Sequence, residues 1–304
     1  MRAIIFPGQG AQKIGMAKDF YEQFGVAREV FDIASESSGL DLARLIFEEE
    51  DKINLTEYTQ VALVTAELAI TEVLKKEGIL TNGFCDVTCG LSLGEYSSLV
   101  LAGAMSVKDA TALVRKRGIY MQEAVPAGKG AMAAVLNMPV EKIEEVLSGL
   151  DNVWIANYNS DAQTVITGLK EAVDDAAVKL KEAGAKRVVP LVVSGPFHSP
   201  LMNVAAEKLA CDLKGVGIVK PVIPYVANVT GNYVTEADVV KDLLVKQVSG
   251  SVRFLQSVKK MTEKGVDCFV EVGPGNTLSK LVSKIVPEAQ TISVQSVEDM
   301  GKLV

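Results

Sequence analysis

One serine stands where it could become a nucleophile. Gly90-Leu91-Ser92-Leu93-Gly94 places glycines two before and two after Ser92. Before it, Cys85-Asp86-Val87-Thr88-Cys89 reads as a buried strand, and after it Leu93 to Leu101 carries apolar residues at helical spacing. Strand, tight turn, helix is the context of a nucleophile elbow, where the glycines let neighbouring backbone approach a strained turn and the hydroxyl is lifted clear of the sheet edge. The same pattern arises by chance in Gly- and Ser-rich loops, so the flanking elements carry the reading. A serine hydroxyl is a poor nucleophile until a base takes its proton. The chain has one histidine, His198, in Ser194-Gly195-Pro196-Phe197-His198-Ser199-Pro200. A lone loop histidine is more often structural, but two prolines hold this one at an expected domain joint, where clefts form. If imidazole activates Ser92, His198 supplies it.

A helix is expected over Val107–Glu123, with Ser106 as N-cap. It carries Arg115, Lys116 and Arg117. The first two read as a basic solvated turn. Arg117 lies four residues from both Leu113 and Met121, so its stem can follow the apolar face inward, where a guanidinium grips a carboxylate through two parallel hydrogen bonds. Near the start, the strand Ala3–Phe6 empties into Pro7-Gly8-Gln9-Gly10-Ala11-Gln12. Glycines at 8 and 10 invite a phosphate-loop reading that the spacing does not support, since Lys13 stands where a third glycine would be and Gly15 precedes Met16. What remains is an ordinary turn, or a loop whose Gln9 and amides face a reacting carbonyl.

Positioning these groups takes a large α/β body. The 304 residues are 48% hydrophobic, enough for a full core, and the formal net charge of −7 argues against a nucleic-acid surface. Cys85, Cys89, Cys211 and Cys268 form no CxxC pair and, with one histidine, lack the partners of a zinc site; they read as buried free thiols in a reducing compartment, with no metal expected. No apolar run approaches a membrane span and Met1–Pro7 is too short in its apolar part for a signal peptide, so a soluble cytoplasmic protein is expected. Met16–Ser37 reads as one helix, Glu48–Asp51 as a solvated face or loop, and Thr56–Gly78 as a long core helix with Gly78 near its C-cap. From Gly130 to Leu191 the order is strand, helix, strand, strand, helix, strand, the ferredoxin-like βαββαβ unit. It is expected as a subdomain inserted at 127–194, between the two parts of the main body at 1–126 and 195–304. Pro126-Ala127-Gly128 and Ser194-Gly195-Pro196 mark the joints. After it, helices and strands alternate to the end.

Six motifs together resemble the malonyl-CoA:acyl carrier protein transacylases: Pro7–Gln12, Gly90–Tyr96, Arg117-Gly118 with Met121-Gln122, Ala156–Ser160, Pro196–Ser199, and Glu271–Gly275. They fall in order along essentially the whole chain. The resemblance implies an α/β-hydrolase-like core with the inserted subdomain, a malonyl-serine intermediate on Ser92, and His198 as base and then acid. It also implies that the amides of Gln9 and Leu93 hold the oxyanion, that Arg117 binds the malonyl carboxylate, and that the main-chain carbonyl of Gln247 orients the histidine. The implied partners are malonyl-CoA, which is a substrate and not a cofactor, and acyl carrier protein, in fatty-acid synthesis by a monomer. Carrier proteins are commonly acidic, so a modest basic patch is expected at the cleft rim. Phe197 beside the histidine favours malonyl over methylmalonyl. Leu91 departs from the family's usual histidine, so polar support for the elbow is either absent or supplied elsewhere.

Other readings remain at this stage. A serine thioesterase or esterase would use the same elbow but would usually carry a late histidine and an acidic triad member, which no motif nominates. A polyketide-type acyltransferase acting in trans shares the residues. A decayed, non-catalytic carrier-binding module has only Leu91 in its favour.

Overall fold

A computed structural model describes residues 1–126, 128–193 and 195–304. Ala127 and Ser194, which end the expected inserted segment and lie in its two joints, fall outside the described residues. The chain opens with β1 (Arg2–Phe6), α1 (Lys18–Gln23), α2 (Gly25–Ser38), α3 (Leu42–Glu48), α4 (Glu50–Ile53), α5 (Thr56–Lys76), β2 (Val87–Gly90), α6 (Gly94–Leu101) and α7 (Val107–Glu123). Next come β3 (Gly130–Leu136), α8 (Val140–Ser148), β4 (Val153–Ser160), β5 (Gln163–Leu169), α9 (Lys170–Glu182) and β6 (Arg187–Pro190). The remainder is α10 (Asn203–Leu213), β7 (Tyr225–Ala227), β8 (Asn232–Val234), α11 (Val240–Ser249), α12 (Phe254–Glu263), β9 (Cys268–Val272), α13 (Thr277–Ile285) and β10 (Gln290–Val294).

The larger sheet has the order β10-β9-β1-β2-β7-β8, parallel except for β8 at the edge. Parallel strands covered on both faces need apolar side chains on both, and β1 shows this: Ile4 and Phe6 join one core cluster, Ala3 and Ile5 the other. Phe6 pairs with Gly90, so β1 and β2 end level. Ligands of open α/β sheets bind beyond such carboxyl ends. α5 is buried nearly all round, its Thr, Gln60 and Glu67 positions as well as its apolar ones, and it packs against α2 and α7. The Ser106 hydroxyl caps α7, accepting from the Asp109 N–H at 3.0 Å.

The second sheet is antiparallel with the order β4-β5-β3-β6, and its helices α8 and α9 cover a separate core that includes Val135, Ile143, Ile166 and Leu180. It joins the larger body along β4, where the Tyr158 N–H donates to Val252 O at 2.9 Å and the Val252 N–H donates to Ala156 O at 2.8 Å. The segment thus clamped includes Gly250, which contributes to the site.

Several local expectations need correction. The helix expected over Met16–Ser37 is two, because Phe24 is extended (φ −121°, ψ 126°) and restarts the chain. The acidic run at 48–51 is the solvated face of the two alternatives expected: Glu48 closes α3, Glu50 and Asp51 open α4, all three exposed, and Glu49 pairs with Arg44 and Lys52. The short strand β8 gave no signal of its own. Cys211 is exposed rather than buried, while Cys89 and Cys268 are buried and Cys85 is partly so. Among the described residues, no helix is long and apolar enough to cross a membrane.

Candidate active site

Ser92 lies at the tip of β2 with φ 54°, a left-handed conformation that costs a non-glycine residue energy. The glycines explain how the turn closes. A Cβ on Gly90 would overlap the main chain of Gly94, and one on Gly94 would overlap the carbonyls of Phe6 and Pro7. The elbow is therefore folded directly onto the end of β1. Gly8 extends the same contact, since a Cβ there would lie 2.5 Å from Leu91 O. Leu91 itself packs with the apolar cluster beneath the sheet. Polar support comes instead from Asn228, just beyond β7. Its Oδ1 accepts the Ser92 N–H at 2.5 Å and its Nδ2 donates to Gly90 O at 2.6 Å, so one amide brackets the elbow.

The Ser92 hydroxyl is 2.7 Å from His198 Nε2, across 106 residues of sequence. On the other side of the ring, Nδ1 faces the main-chain carbonyls of Gln247 at 2.8 Å and Gly250 at 3.2 Å. Carbonyls only accept, so Nδ1 holds the proton and Nε2 is left as the acceptor for Ser92. Burial, and next the nearby Arg117 guanidinium, pushes the imidazole down to about 4. It is therefore neutral, and basic in form, across the physiological range. Acylation of Ser92 by an uncharged ester such as p-nitrophenyl acetate is expected to keep its rate from about pH 8 to about pH 5 and to fall as the pH nears 4. A stopped-flow profile with its midpoint near the free-imidazole value would contradict this setting.

Arg117 is buried, carried inward on α7 as its position predicts. Its guanidinium donates to Gln60 Oε1 at 2.7 Å, to Gln247 Oε1 at 2.9 Å and to Ser92 Oγ at 3.1 Å. A cation with neutral amide partners beside a nucleophile is a receptor for a ligand carboxylate. Arg115 departs from the solvated-turn reading: it is largely covered, donates to Glu57 O at 2.7 Å, and pairs with the Glu57 carboxylate at 2.9 Å. Lys116 does face solvent, 2.6 Å from Asp212.

Ser92, His198, Arg117 and Gln60 line a cavity of about 400 Å³ between the two sheets. Gln9 and Leu93 line it too, and neither main-chain N–H has a hydrogen-bond partner among the described residues. The Gln9 side chain donates to Thr56 Oγ1 at 3.0 Å, which pins the loop after β1 to the start of α5. Gln247 touches the histidine with its carbonyl and Arg117 with its side chain, bridging base and cation. Among the described residues, no group of three or more His, Cys, Asp and Glu is placed to hold a metal ion.

Besides the Gly250 carbonyl, three polar side chains at the site were not singled out from sequence. Gln60 is a polar position facing inward from a buried helix, Asn228 follows directly on a buried strand, and Glu95 is a carboxyl inside an apolar helix. In each the signal is a polar residue where periodicity calls for an apolar one.

Residues 3–302 match the family model described as Acyl transferase domain. A Bacillus subtilis (strain 168) protein named malonyl CoA-acyl carrier protein transacylase is 45% identical, the match covering 97% of this chain and 94% of that protein. Among solved structures, an acyl carrier protein S-malonyltransferase from Vibrio cholerae O1 biovar eltor is 40% identical with a TM-score of 0.96, covering 100% of this chain and 99% of that one. A malonyl-transacylase solved in complex with its type II PKS acyl-carrier protein is 39% identical with a TM-score of 0.94, covering 99% and 98%.

Proposed function

From the premise that this chain belongs to the acyl transferase family, among its malonyl CoA-acyl carrier protein transacylases, we propose that it moves malonyl from coenzyme A to the phosphopantetheine thiol of acyl carrier protein for fatty-acid synthesis. The reaction is ping-pong. His198 Nε2 takes the Ser92 proton as Oγ attacks the thioester carbonyl, and the oxyanion forms against the Gln9 and Leu93 N–H groups. The imidazolium then protonates the departing coenzyme A sulfur. In the second half His198 deprotonates the carrier thiol, whose sulfur attacks the ester carbonyl; as the bond from that carbonyl to Ser92 Oγ breaks, the imidazolium returns the proton to Oγ. Preorganised donors matter because the charge appears only at the tetrahedral stage, and losing one such donor costs on the order of 10²-fold or more in comparable sites. The Gln247 carbonyl holds the ring in the place an aspartate fills in a hydrolase triad.

The observation that carries the reading is the buried Arg117 guanidinium 3.1 Å from the Ser92 hydroxyl. An acyl group on Ser92 has its far end at Arg117, and a carboxylate there is what separates malonyl from acetyl. A general esterase has no use for a buried cation in that position. Lys280 and Lys284 of α13 line the same cavity and favour an acidic carrier and the phosphates of the coenzyme. Proton and acyl transfer are complete with these groups, so the reaction calls for no metal or resident cofactor, coenzyme A thioester being a substrate.

The smaller antiparallel sheet is read as a ferredoxin-like subdomain spanning 127–194, inserted in an α/β-hydrolase-like catalytic domain of residues 1–126 and 195–304. Its strand order and separate core support this. The protein is read as a monomer, and the free cysteines fit a soluble protein of the reducing cytoplasm. The test is intact mass after brief exposure to malonyl-CoA: one malonyl adduct should form and vanish on adding holo carrier protein. Coenzyme A released without a lasting adduct would favour a thioesterase.

A further inference from the structure

Glu95 is buried on α6, three residues beyond Ser92, and the mechanism above makes no use of it. Its Oε2 accepts the Gln247 Nε2–H at 2.7 Å and the Asn228 N–H at 3.3 Å, while its Oε1 is buried with no partner. The same Gln247 Nε2 also donates to Ser92 O at 2.7 Å, and Gln247 Oε1 accepts from Arg117. One amide thus stands between a buried carboxyl and a buried guanidinium. A direct ion pair would occupy the guanidinium face that a substrate carboxylate must take. The interposed amide keeps that face open and still lets the opposite charges offset one another.

A site with one buried cation tolerates one buried anion far better than two. When a substrate carboxylate reaches Arg117, one of the two anions must be neutralised or expelled. We infer that Glu95 is a positioning residue and counter-charge for Arg117: it fixes the Gln247 amide and takes up a solvent proton when a substrate carboxylate binds, releasing it when the acyl group leaves. The proton forms an O–H bond at Oε1, so both hydrogen bonds accepted by Oε2 survive, and the guanidinium keeps its own protons.

The surroundings allow this. Burial is the largest influence on Glu95 and pushes it up to about 7, against the opposing pull of its hydrogen bonds and of Arg117. Arg117 from α7 is the charged group facing it. Cys89 of β2 and Tyr96 on the same helix are pushed up to about 12 by burial, and Tyr225 of β7 higher still, so all three are uncharged. Glu67 of α5, bonded to Ser97, is raised well above the carboxylate range by burial, and His198 is neutral.

The inference rests on the malonyl reading, and the test separates the two. The Ser92→Ala protein, which forms no acyl-enzyme, is titrated calorimetrically with malonyl-CoA at about pH 8 in two buffers of different ionisation enthalpy, coenzyme A alone being the reference. Uptake of more than about half a proton is expected with malonyl-CoA and none with coenzyme A, the uptake disappearing in Ser92→Ala/Glu95→Gln. Malonyl-CoA affinity should also weaken by up to about tenfold per pH unit above about pH 7 while coenzyme A affinity holds, a readout that needs no second variant. Binding without proton uptake, or equal uptake in the glutamine variant, overturns the counter-charge. Failure of malonyl-CoA to bind more tightly than coenzyme A overturns the malonyl reading and this inference with it.

Discussion

Ser92→Ala and His198→Ala should each lower malonyl transfer by roughly 10⁴- to 10⁶-fold, and the double variant should be little worse than either. The two side chains act as one unit, joined by a 2.7 Å contact. Without the hydroxyl nothing accepts the acyl group, and without Nε2 the hydroxyl keeps its proton. Quench-flow measurement of coenzyme A release, with intact mass for the adduct, checks both. A serine variant that still forms an adduct, or effects that multiply in the double variant, would mean that the groups work separately. Because Nδ1 is met by carbonyls and not by a carboxylate, no acidic residue should show a comparable loss through the histidine.

Arg117→Ala should cut kcat/KM for malonyl-CoA by about 10²- to 10⁴-fold and move the preference toward acetyl-CoA. Two charge-assisted hydrogen bonds to a buried carboxylate are worth about 3–6 kcal/mol together, which is that range of rate. Acetyl-CoA gains by the same change, since it no longer buries an unanswered guanidinium beside it. Arg117→Lys should rescue little. A lysine cannot span Gln60, Gln247 and Ser92 at once, as the guanidinium does at 2.7, 2.9 and 3.1 Å. Competition between malonyl-CoA and acetyl-CoA for each variant decides it, and an unchanged ratio in Arg117→Ala would remove the clamp.

Much of this site was legible because its parts are local. The elbow is written in five consecutive residues, and the reason for its two glycines is now visible in the collisions any side chain there would make. Arg117 could be placed from helical periodicity alone, since its stem shares a face with Leu113 and Met121. Periodicity misled at Met16–Ser37, where a single extended residue, Phe24, breaks the helix while the apolar pattern runs on. It misled at Arg115 as well. Nothing nearby in sequence announces Glu57, which arrives from a helix that packs alongside only in the fold.

The sequence by itself determined the strands and helices that carry the site, the strained turn holding Ser92, the single histidine and the inward arginine. Each depends on residues within one helical turn or one strand of one another, where covalent geometry and side-chain period decide the outcome. Only the tertiary structure decided what those groups meet. Asn228 stands in for the polar support that Leu91 lacks, the carbonyls of Gln247 and Gly250 choose the histidine tautomer, Gln60 and Gln247 hold the guanidinium, and Glu95 holds Gln247. Their separations run from a few tens of residues to 155. A hydrogen bond over such a distance has no period or local propensity to signal it; it exists because burial leaves polar groups no water, and each must find its partner among whatever the packed sheets bring near.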